Sequence, residues 1–330
     1  MAATRIGLQI PNFTYPGVAP ADLFERVAAQ AVAAEASGFD TVFVMDHFFQ
    51  LPLLGRPEQE MFESYTLLGA LAARTERVRL GTLVTGVTYR QPTLLAKAVT
   101  ALDVISRGRA LLGIGAAWFD VEHAALGFEF PALKVRYEHL VDALEICRGM
   151  FTQPSTTYSG THHTVKDAYN SPAPVSDRIP ILIGGQGERR TFRLAAEYAD
   201  ELNTTAGFSE LPRKLDALQG HLDDLGRDRS DINVTPLGTL VLAESHDGAR
   251  AKLGQFLGAR GVDVDVLLAD QAASDQLLGR VVWGDPDEVA ARVQEIVAVG
   301  MDGVVFNLPA DADNTEAVAL AGETLTKALG

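Results

Sequence analysis

Residues 180–191 read PILIGGQGERRT, and this stretch decides the fold that the sequence predicts. Ile181, Leu182 and Ile183 form a short continuous apolar run, which is typical of a strand buried on both faces. Three glycines follow, and a charged run compatible with a helix begins at Glu188. A strand, a glycine turn and a helix start present free backbone N–H groups and the positive end of a helix dipole. The stretch therefore predicts either a phosphate cradle or an ordinary tight turn between strand and helix.

Strands and helices alternate along most of the chain. The predicted strands are residues 5–10, 41–45, 78–84, 109–114, 181–183, 200–203, 233–242 and 303–307. The predicted helices cover residues 20–36, 64–74, 92–106, 134–151, 211–225, 247–278 and 285–299. Eight strands that alternate with helices predict an α/β protein, a (β/α)8 TIM barrel, and 330 residues are enough for one such barrel.

One segment, residues 152–178, interrupts the alternation. It contains prolines at 172 and 174, a turn near 158–160 and short alternating pieces, which favour an inserted hairpin and loop. The insertion precedes the fifth strand, so it need not cover the mouth of the barrel. We find no domain boundary, and the sequence predicts a single domain over residues 1–330. His162 and His163 lie in the insertion, and because neighbouring strand residues point to opposite faces we expect no joint metal site.

The composition restricts the class of function. Hydrophobic residues make up 47% of the chain, and the net charge is −15 at pH 7. These values favour a sizeable core and argue against nucleic acid or a membrane surface as partner. The single cysteine, Cys147, lies in an apolar helical pattern and is expected in the core. With no basic-then-apolar leader and no long apolar run, we expect a cytoplasmic protein with a small-molecule substrate.

Candidate functional residues follow the strands, because TIM barrels place their active sites at the carboxyl ends of the strands. Asp46, His47 and Phe48 follow the second strand, and a histidine there can relay a proton near neutral pH. The alternative is a structural histidine that caps the loop. Gly86 ends the third strand, where it either admits a flat ligand or serves as a simple turn glycine.

The fourth strand runs into small residues. The sequence GIGAAW at residues 113–118 leaves room for a ring system, and Trp118 can form a wall of a pocket. Glu122 and His123 follow, but one carboxylate and one histidine do not form a metal site. No Ser-His-Asp or Cys-His set is indicated.

Several segments together carry a resemblance to a known family. They read GFDTVFVMDHF, VRLGTLVTGVTYRQP, ISRGRALLGIGAAWFDVEHAALGF, HHTVKDAYNSPAPV and PILIGGQGERRTFRLAAEYADELN, with a weaker match at WGDPDEVAARVQEIVAVGMDGVVFN. In them the chain closely resembles the luciferase-like monooxygenase superfamily, and within it the actinobacterial oxidoreductases that use the deazaflavin coenzyme F420. The resemblance implies a barrel with an insertion, a cofactor ring at the mouth and a non-proline cis peptide within residues 83–86.

The resemblance also implies which residues contact the cofactor and the substrate. The cofactor phosphate is expected at the loop after the fifth strand, and the ring near the end of the third. The expected cofactor-binding residues are Asp46, Val84, Thr85, Gly86, Gly184, Gly185, Gln186, Gly187, Glu188, Arg189 and Asn203. The expected substrate pocket contains Asn12, Phe48, Trp118 and Asn307, and His47 is the expected catalytic residue.

Three functions remain open at this stage. We expect first an F420-dependent oxidoreductase that moves a hydride between the deazaflavin and a small alcohol, carbonyl or activated alkene. An FMN-dependent monooxygenase would use the same pocket, and a flavin-binding protein without catalysis is a third possibility that His47 argues against. Sugar-phosphate-oxidising relatives carry a glutamate just after the GxG of the fourth strand, where Trp118 holds the comparable place. The substrate therefore stays open, and because such relatives are often dimers we expect a homodimer.

Overall fold

Eight parallel strands close into a barrel in the computed structural model, which describes residues 4–330. The strands are β1 (Arg5–Ile10), β2 (Thr41–Val44), β3 (Arg79–Thr82), β4 (Thr85–Gly86), β5 (Ala110–Gly115), β6 (Thr156–Ser159), β7 (Thr164–Ala168), β8 (Ile181–Gly184), β9 (Glu201–Thr204), β10 (Asn233–Leu242), β11 (Val281–Gly284) and β12 (Gly303–Asn307). The order around the barrel is β1, β2, β3, β5, β8, β9, β10 and β12, and β12 pairs with β1 to close it. The predicted (β/α)8 barrel is confirmed.

Helices surround this barrel. They are α1 (Leu23–Ser37), α2 (Ser64–Ala72), α3 (Pro92–Ser106), α4 (Asp120–Leu126), α5 (Leu133–Thr152), α6 (Thr191–Tyr198), α7 (Leu211–Leu225), α8 (His246–Gly258), α9 (Val264–Ala269), α10 (Gln271–Leu277), α11 (Pro286–Ala298) and α12 (Thr315–Leu329). Local sequence explains their ends. The Asp285 carboxylate accepts from the amides of Asp287 and Glu288 to begin α11, and Gly38 ends α1 with a φ of 102°.

Strand β8 is buried on both faces, as its apolar run predicts. Leu182 points into the barrel, where it packs with Phe43, Leu111 and Val305. Ile183 belongs to the larger cluster formed with the surrounding helices. The side chains on both faces of β8 are therefore apolar, which is why no polar residue interrupts the run.

The structure differs from the predicted elements in several places. The third strand is not continuous over residues 78–84: β3 ends at Thr82, and a cis peptide between Leu83 and Val84 separates it from β4. The predicted helix over residues 247–278 is three helices, α8, α9 and α10. Helices α4 and α12 and strand β11 were not predicted, and β11 is only four residues long and pairs with the end of β10.

The insertion folds as the antiparallel hairpin of β6 and β7. It packs on the outer faces of α3 and α5, because the Asp142 carboxylate accepts from the amides of residues 161–163 and Asn170 donates to Thr100 Oγ1. His162 and His163 lie in the hairpin turn rather than within β7, and both rings contact His139. The expectation that they point apart is therefore wrong.

Two expectations from composition can be compared with the structure. Cys147 is fully buried in the core, as predicted. Among residues 4–330, none of the helices has the length and apolar character needed to cross a bilayer.

Candidate active site

A chain of hydrogen bonds crosses the barrel interior near the carboxyl ends of the strands. Thr239 Oγ1 donates to Asn307 Oδ1 over 2.9 Å, and Asn307 Nδ2 donates to Gln9 Oε1 over 3.0 Å. Gln9 Nε2 then donates to the carbonyl oxygen of Leu83 over 3.1 Å. These side chains come from β10, β12 and β1, so three strands together fix the position of the backbone that follows β3.

Asp46 fixes the same backbone from the other side. Its side chain is 1% exposed and forms a bidentate ion pair with Arg90, with distances of 2.7 and 2.9 Å. It also accepts from Ser64 Oγ at 2.6 Å and from the Gly86 amide at 3.3 Å. Both carboxylate oxygens of Asp46 thus have hydrogen-bond partners within the protein. The side chain anchors the segment that contains Val84, Thr85 and Gly86 and does not face open space.

We expect Arg90→Met to lower the free energy of unfolding by about 3 kcal/mol, because a buried carboxylate would lose its cation. Urea denaturation of the variant and the wild type would measure this. The double variant Asp46→Asn/Arg90→Met should recover part of the loss, because it removes the unpaired charge. A loss well below about 1 kcal/mol would show that the pair behaves like an exposed surface ion pair.

His47 has one ring nitrogen bound and the other free. Its Nδ1 lies 3.1 Å from Glu122 Oε1, and its Nε2 has no hydrogen-bond partner among residues 4–330. The fully buried Glu122 also accepts from Tyr89 and from the amides of Phe48 and Phe49, at 3.1 and 3.2 Å. Because a carboxylate can only accept, Nδ1 carries the proton and Nε2 is the basic nitrogen of the neutral ring.

The charge state of this cluster follows from its contacts. Burial alone would raise the pKa of Glu122, but the hydrogen bonds from His47, Tyr89 and the Phe49 amide outweigh it and hold that pKa below its usual range. Burial and the adjacent carboxylate raise the pKa of Tyr89, so Tyr89 remains a neutral donor. Because the folded-state pKa of Glu122 is depressed, its contribution to stability is present at neutral pH and is lost as the pH falls below about 4.

Aromatic rings border the imidazole of His47. The rings of Trp118 and Phe119 each meet the imidazole edge to face, at centroid distances of 5.8 Å. Trp118 is 61% exposed, so it stands at the open side of this group. Phe48 instead packs with Tyr89 and Phe128, at 5.2 and 5.7 Å.

The side chain of Val84 lies in a slot formed by glycines. A Cβ built on Gly184 would come within 2.7 Å of Val84 Cγ1, and one on Gly115 within 3.0 Å of Val84 Cγ2. A Cβ on Gly113 would come within 3.3 Å of the same side chain. The glycines of β5 and β8 therefore let the segment after β3 lie close to the neighbouring strands.

The loop after β8 presents a row of unpaired amides. The Gly185 amide donates to the carbonyl oxygen of Asn203 at 3.0 Å, and the Phe192 amide to that of Gly187 at 3.1 Å. The amides of residues 186–191 have no acceptor among residues 4–330. They lead into the first turn of α6, where the helix dipole adds positive potential. This arrangement fits an anion such as a phosphate.

The carboxylate of Glu188 is directed toward α7. It accepts from Lys214 Nζ at 2.8 Å and pairs with Arg213 at 2.5 Å. Asn203, at the end of β9, is buried and donates to Thr235 Oγ1 at 3.0 Å. Glu188 thus ties the loop to α7 through its side chain. Asn203 contacts the loop through its backbone carbonyl oxygen, which accepts from the Gly185 amide.

Comparison with known proteins assigns this architecture to a family. Residues 4–303 match the family of luciferase-like monooxygenases. The chain belongs to this family. It is 31% identical over 314 residues to an F420-dependent glucose-6-phosphate dehydrogenase of Microbacterium testaceum (strain StLB037), with 89% of this chain and 90% of that protein covered.

Solved structures share the fold of this luciferase-like chain. An F420-dependent secondary alcohol dehydrogenase in complex with an F420-acetone adduct superposes with a TM-score of 0.79 at 21% identity, covering 99% of each chain. The EDTA monooxygenase of Chelativorans sp. BNC1 superposes with a TM-score of 0.81 at 17% identity, covering 98% of this chain and 94% of that one. At these identities the structures establish the fold alone.

Sequence reasoning missed several members of this luciferase-like site. It named Glu122 only as a rejected metal ligand, and it did not pair Asp46 with Arg90. Gln9 follows from the strand-end rule only as a position without a role, and Thr239 was not singled out. Glu122 lies in α4, shortly after the end of β5. The rule that functional groups follow the strands was therefore the one signal that pointed to it.

Proposed function

We propose that this chain is an F420-dependent oxidoreductase that transfers a hydride between the deazaflavin and a small alcohol or carbonyl compound. The observation that carries the proposal is the free Nε2 of His47, held by Glu122 at the same barrel mouth as the amide-lined loop. F420 as the cofactor is supported by the relatives, which are F420-dependent dehydrogenases of about 30% identity over most of the chain.

The chemistry requires a proton acceptor beside the hydride acceptor. When bound, the deazaflavin supplies the carbon that takes or gives the hydride. In alcohol oxidation the substrate carbon loses a hydride and its hydroxyl loses a proton. His47 Nε2 takes that proton, and in carbonyl reduction it returns the proton to the oxygen. Glu122 stabilises the imidazolium that forms and keeps the ring in the required tautomer.

Each other candidate residue has a proposed contact. The phosphate is held by the backbone amides of Gln186 to Thr191. Gly184 and Gly185 leave room for it to come close to the loop, and Arg189 adds positive charge. Val84, Thr85 and Gly86 support the ring, with Asp46 acting through the Gly86 amide. Asn203 holds the loop, and Asn12, Trp118 and Asn307 border the substrate, with Phe48 behind them.

We expect Glu122→Gln to lower kcat on the order of 10²-fold, because an amide can donate to Nδ1 and move the proton of His47 to Nε2. Nitrogen NMR of the histidine ring should show an Nδ1–H tautomer in the wild type and an Nε2–H tautomer in the variant. An unchanged tautomer with an unchanged rate would rule out this positioning role.

A homodimer and a cytoplasmic location form part of the proposal. The outer face of α2 and α3 contains a groove of about 360 Å3 whose floor includes Gly69, Ala98 and Ala101. Leu94 and Ile105 border it and are 60% and 53% exposed. Small residues beside large apolar ones suit a two-fold contact between copies. Leu94→Asp/Ile105→Asp should convert a dimer into a monomer in sedimentation velocity.

The function itself is tested by turnover. Purified protein is mixed with oxidised F420 and a panel of alcohols and sugar phosphates, or with reduced F420 and carbonyl compounds, and the visible F420 band is followed. We expect turnover with at least one pair. Oxygen-dependent oxidation with reduced FMN, and no turnover with F420, would favour the monooxygenase instead.

A further inference from the structure

One carboxylate oxygen of Glu122 accepts two side-chain hydrogen bonds. Oε1 lies 3.1 Å from His47 Nδ1 and also accepts from the hydroxyl of Tyr89. The other oxygen, Oε2, accepts from the amides of Phe48 and Phe49. The two side-chain donors therefore share a single acceptor atom. Because each donor draws on the negative charge of that oxygen, the bond from Tyr89 weakens the one from His47.

Packing holds the hydroxyl of Tyr89 on this oxygen. The ring of Tyr89 stacks on His123 with centroids 4.6 Å apart and an interplanar angle of 27°, and it meets Phe48 and Phe128 at 5.2 and 5.3 Å. Burial and the carboxylate of Glu122 raise the pKa of Tyr89. The hydroxyl therefore keeps its proton at neutral pH and acts as a permanent hydrogen-bond donor, not as a proton-transfer group.

Tyr89 is also part of the turn that follows β4. Its amide donates to the carbonyl oxygen of Gly86 over 3.1 Å, and a Cβ built on Gly86 would come within 2.7 Å of Tyr89 Cε2. Gly86 belongs to the segment proposed above to support the cofactor ring. The position of the hydroxyl on Glu122 is therefore set by the same backbone that supports the ring.

The remaining charged groups beside this cluster are bound to partners of their own. Asp46 pairs with Arg90 over 2.7 Å. His123 Nε2 lies 2.6 Å from Thr88 Oγ1, and its Nδ1 lies 2.7 Å from a carbonyl oxygen just before α4. Among residues 4–330, Asp46, Arg90 and His123 form no hydrogen bond with Glu122. Side-chain donation to that carboxylate therefore comes from the histidine and the tyrosine described above.

We propose that Tyr89 is a positioning residue, whose hydroxyl limits the hold of Glu122 on His47 by sharing the oxygen that the imidazole binds. The inference deepens the proposed function and rests on it, because it matters only where Nε2 takes and returns a proton. In alcohol oxidation the hydride goes to the deazaflavin and the hydroxyl proton goes to Nε2, and Tyr89 and Glu122 exchange none. A carboxylate with His47 as its sole side-chain donor would stabilise the imidazolium more strongly.

Tyr89→Phe tests this inference, because it removes the hydroxyl and keeps the ring that packs on Gly86. The acidic limb of the pH profile of kcat for alcohol oxidation should move to higher pH by about 0.5–1 unit, since Nε2 must be unprotonated to accept the proton. In the protein without cofactor, the Nδ1–H proton resonance of His47 should move downfield, because its bond to Oε1 becomes stronger.

The matched control is Tyr158→Phe. Tyr158 OH donates to Asp142 Oδ1 over 2.9 Å in the outer hairpin, so this variant also takes a tyrosine hydroxyl from a buried carboxylate. Neither the pH profile nor the His47 resonance should change. Thermal melting shows whether both variants are folded.

The outcomes separate the inference from the function. If either the acidic limb or the resonance stays in place in folded Tyr89→Phe, the inference is overturned and the proposed function is left intact. Equal shifts in Tyr158→Phe would also overturn it, because the effect would not depend on the shared oxygen. Absence of turnover by the wild type with every F420 pair would refute the proposed function, and this inference with it.

Discussion

His47→Ala is expected to lower kcat by roughly 10²–10⁴ while the cofactor dissociation constant changes little. The variant removes a nitrogen at the mouth that is both free and held in a defined tautomer, since Nε2 has no partner among residues 4–330 and Nδ1 is bound to Glu122. The substrate oxygen would then exchange its proton with water. Steady-state kinetics with the best substrate from the panel, and a fluorescence titration of F420, would measure the two quantities.

A matched control separates chemistry from structure. His162→Ala removes a partly exposed histidine of the hairpin turn outside the barrel, paired with Glu138, so kcat should be unchanged. Near-normal turnover of folded His47→Ala would return His47 to a structural role. Loss of cofactor affinity with unchanged kcat would make it a binding residue. If the reaction is alkene reduction, water can supply the proton and the fall in kcat would be smaller.

Gly187→Val is expected to weaken cofactor binding by about 10²-fold or more. A Cβ at this position would lie 3.0 Å from Thr191 Oγ1 and 3.3 Å from Tyr137 OH, so these side chains must give way by a few tenths of an ångström, and the full valine side chain adds further crowding beside the amides. Two charge-assisted hydrogen bonds of about 1.5–3 kcal/mol each account for that factor. Gly185 is a poorer test, because its φ of 142° would strain any side chain.

The contrast is with Arg189→Ala, measured with the same cofactor. Because an exposed charge is screened by salt, this variant should weaken binding less than Gly187→Val does. Thermal melting of both variants shows whether they are folded. Normal cofactor affinity in folded Gly187→Val would place the phosphate away from this loop.

The sequence was informative where function depends on local order along the chain. The run at residues 180–191 predicts the strand, the turn and the helix start because each is a property of adjacent residues. The ends of the strands predict His47, Trp118 and Asn307 at one mouth, because all strands of a parallel barrel end at the same side.

Contacts between distant segments could not be predicted from the sequence. His47 and Glu122 are separated by 75 residues, and Asp46 and Arg90 by 44. Their pairing depends on the paths of two loops above the barrel, which no periodicity encodes. The break between β3 and β4 falls at Leu83 and Val84, two residues that favour a strand and give no turn signal, and β11 pairs with the end of β10.

The most direct test of the account is a side-by-side isothermal titration of the protein with oxidised F420 and with FMN. Both carry a phosphate that the amides of residues 186–191 can bind, so the comparison isolates the choice of cofactor. We expect clearly tighter binding of F420. A clear preference for FMN would contradict it and favour an FMN-dependent monooxygenase on the same barrel.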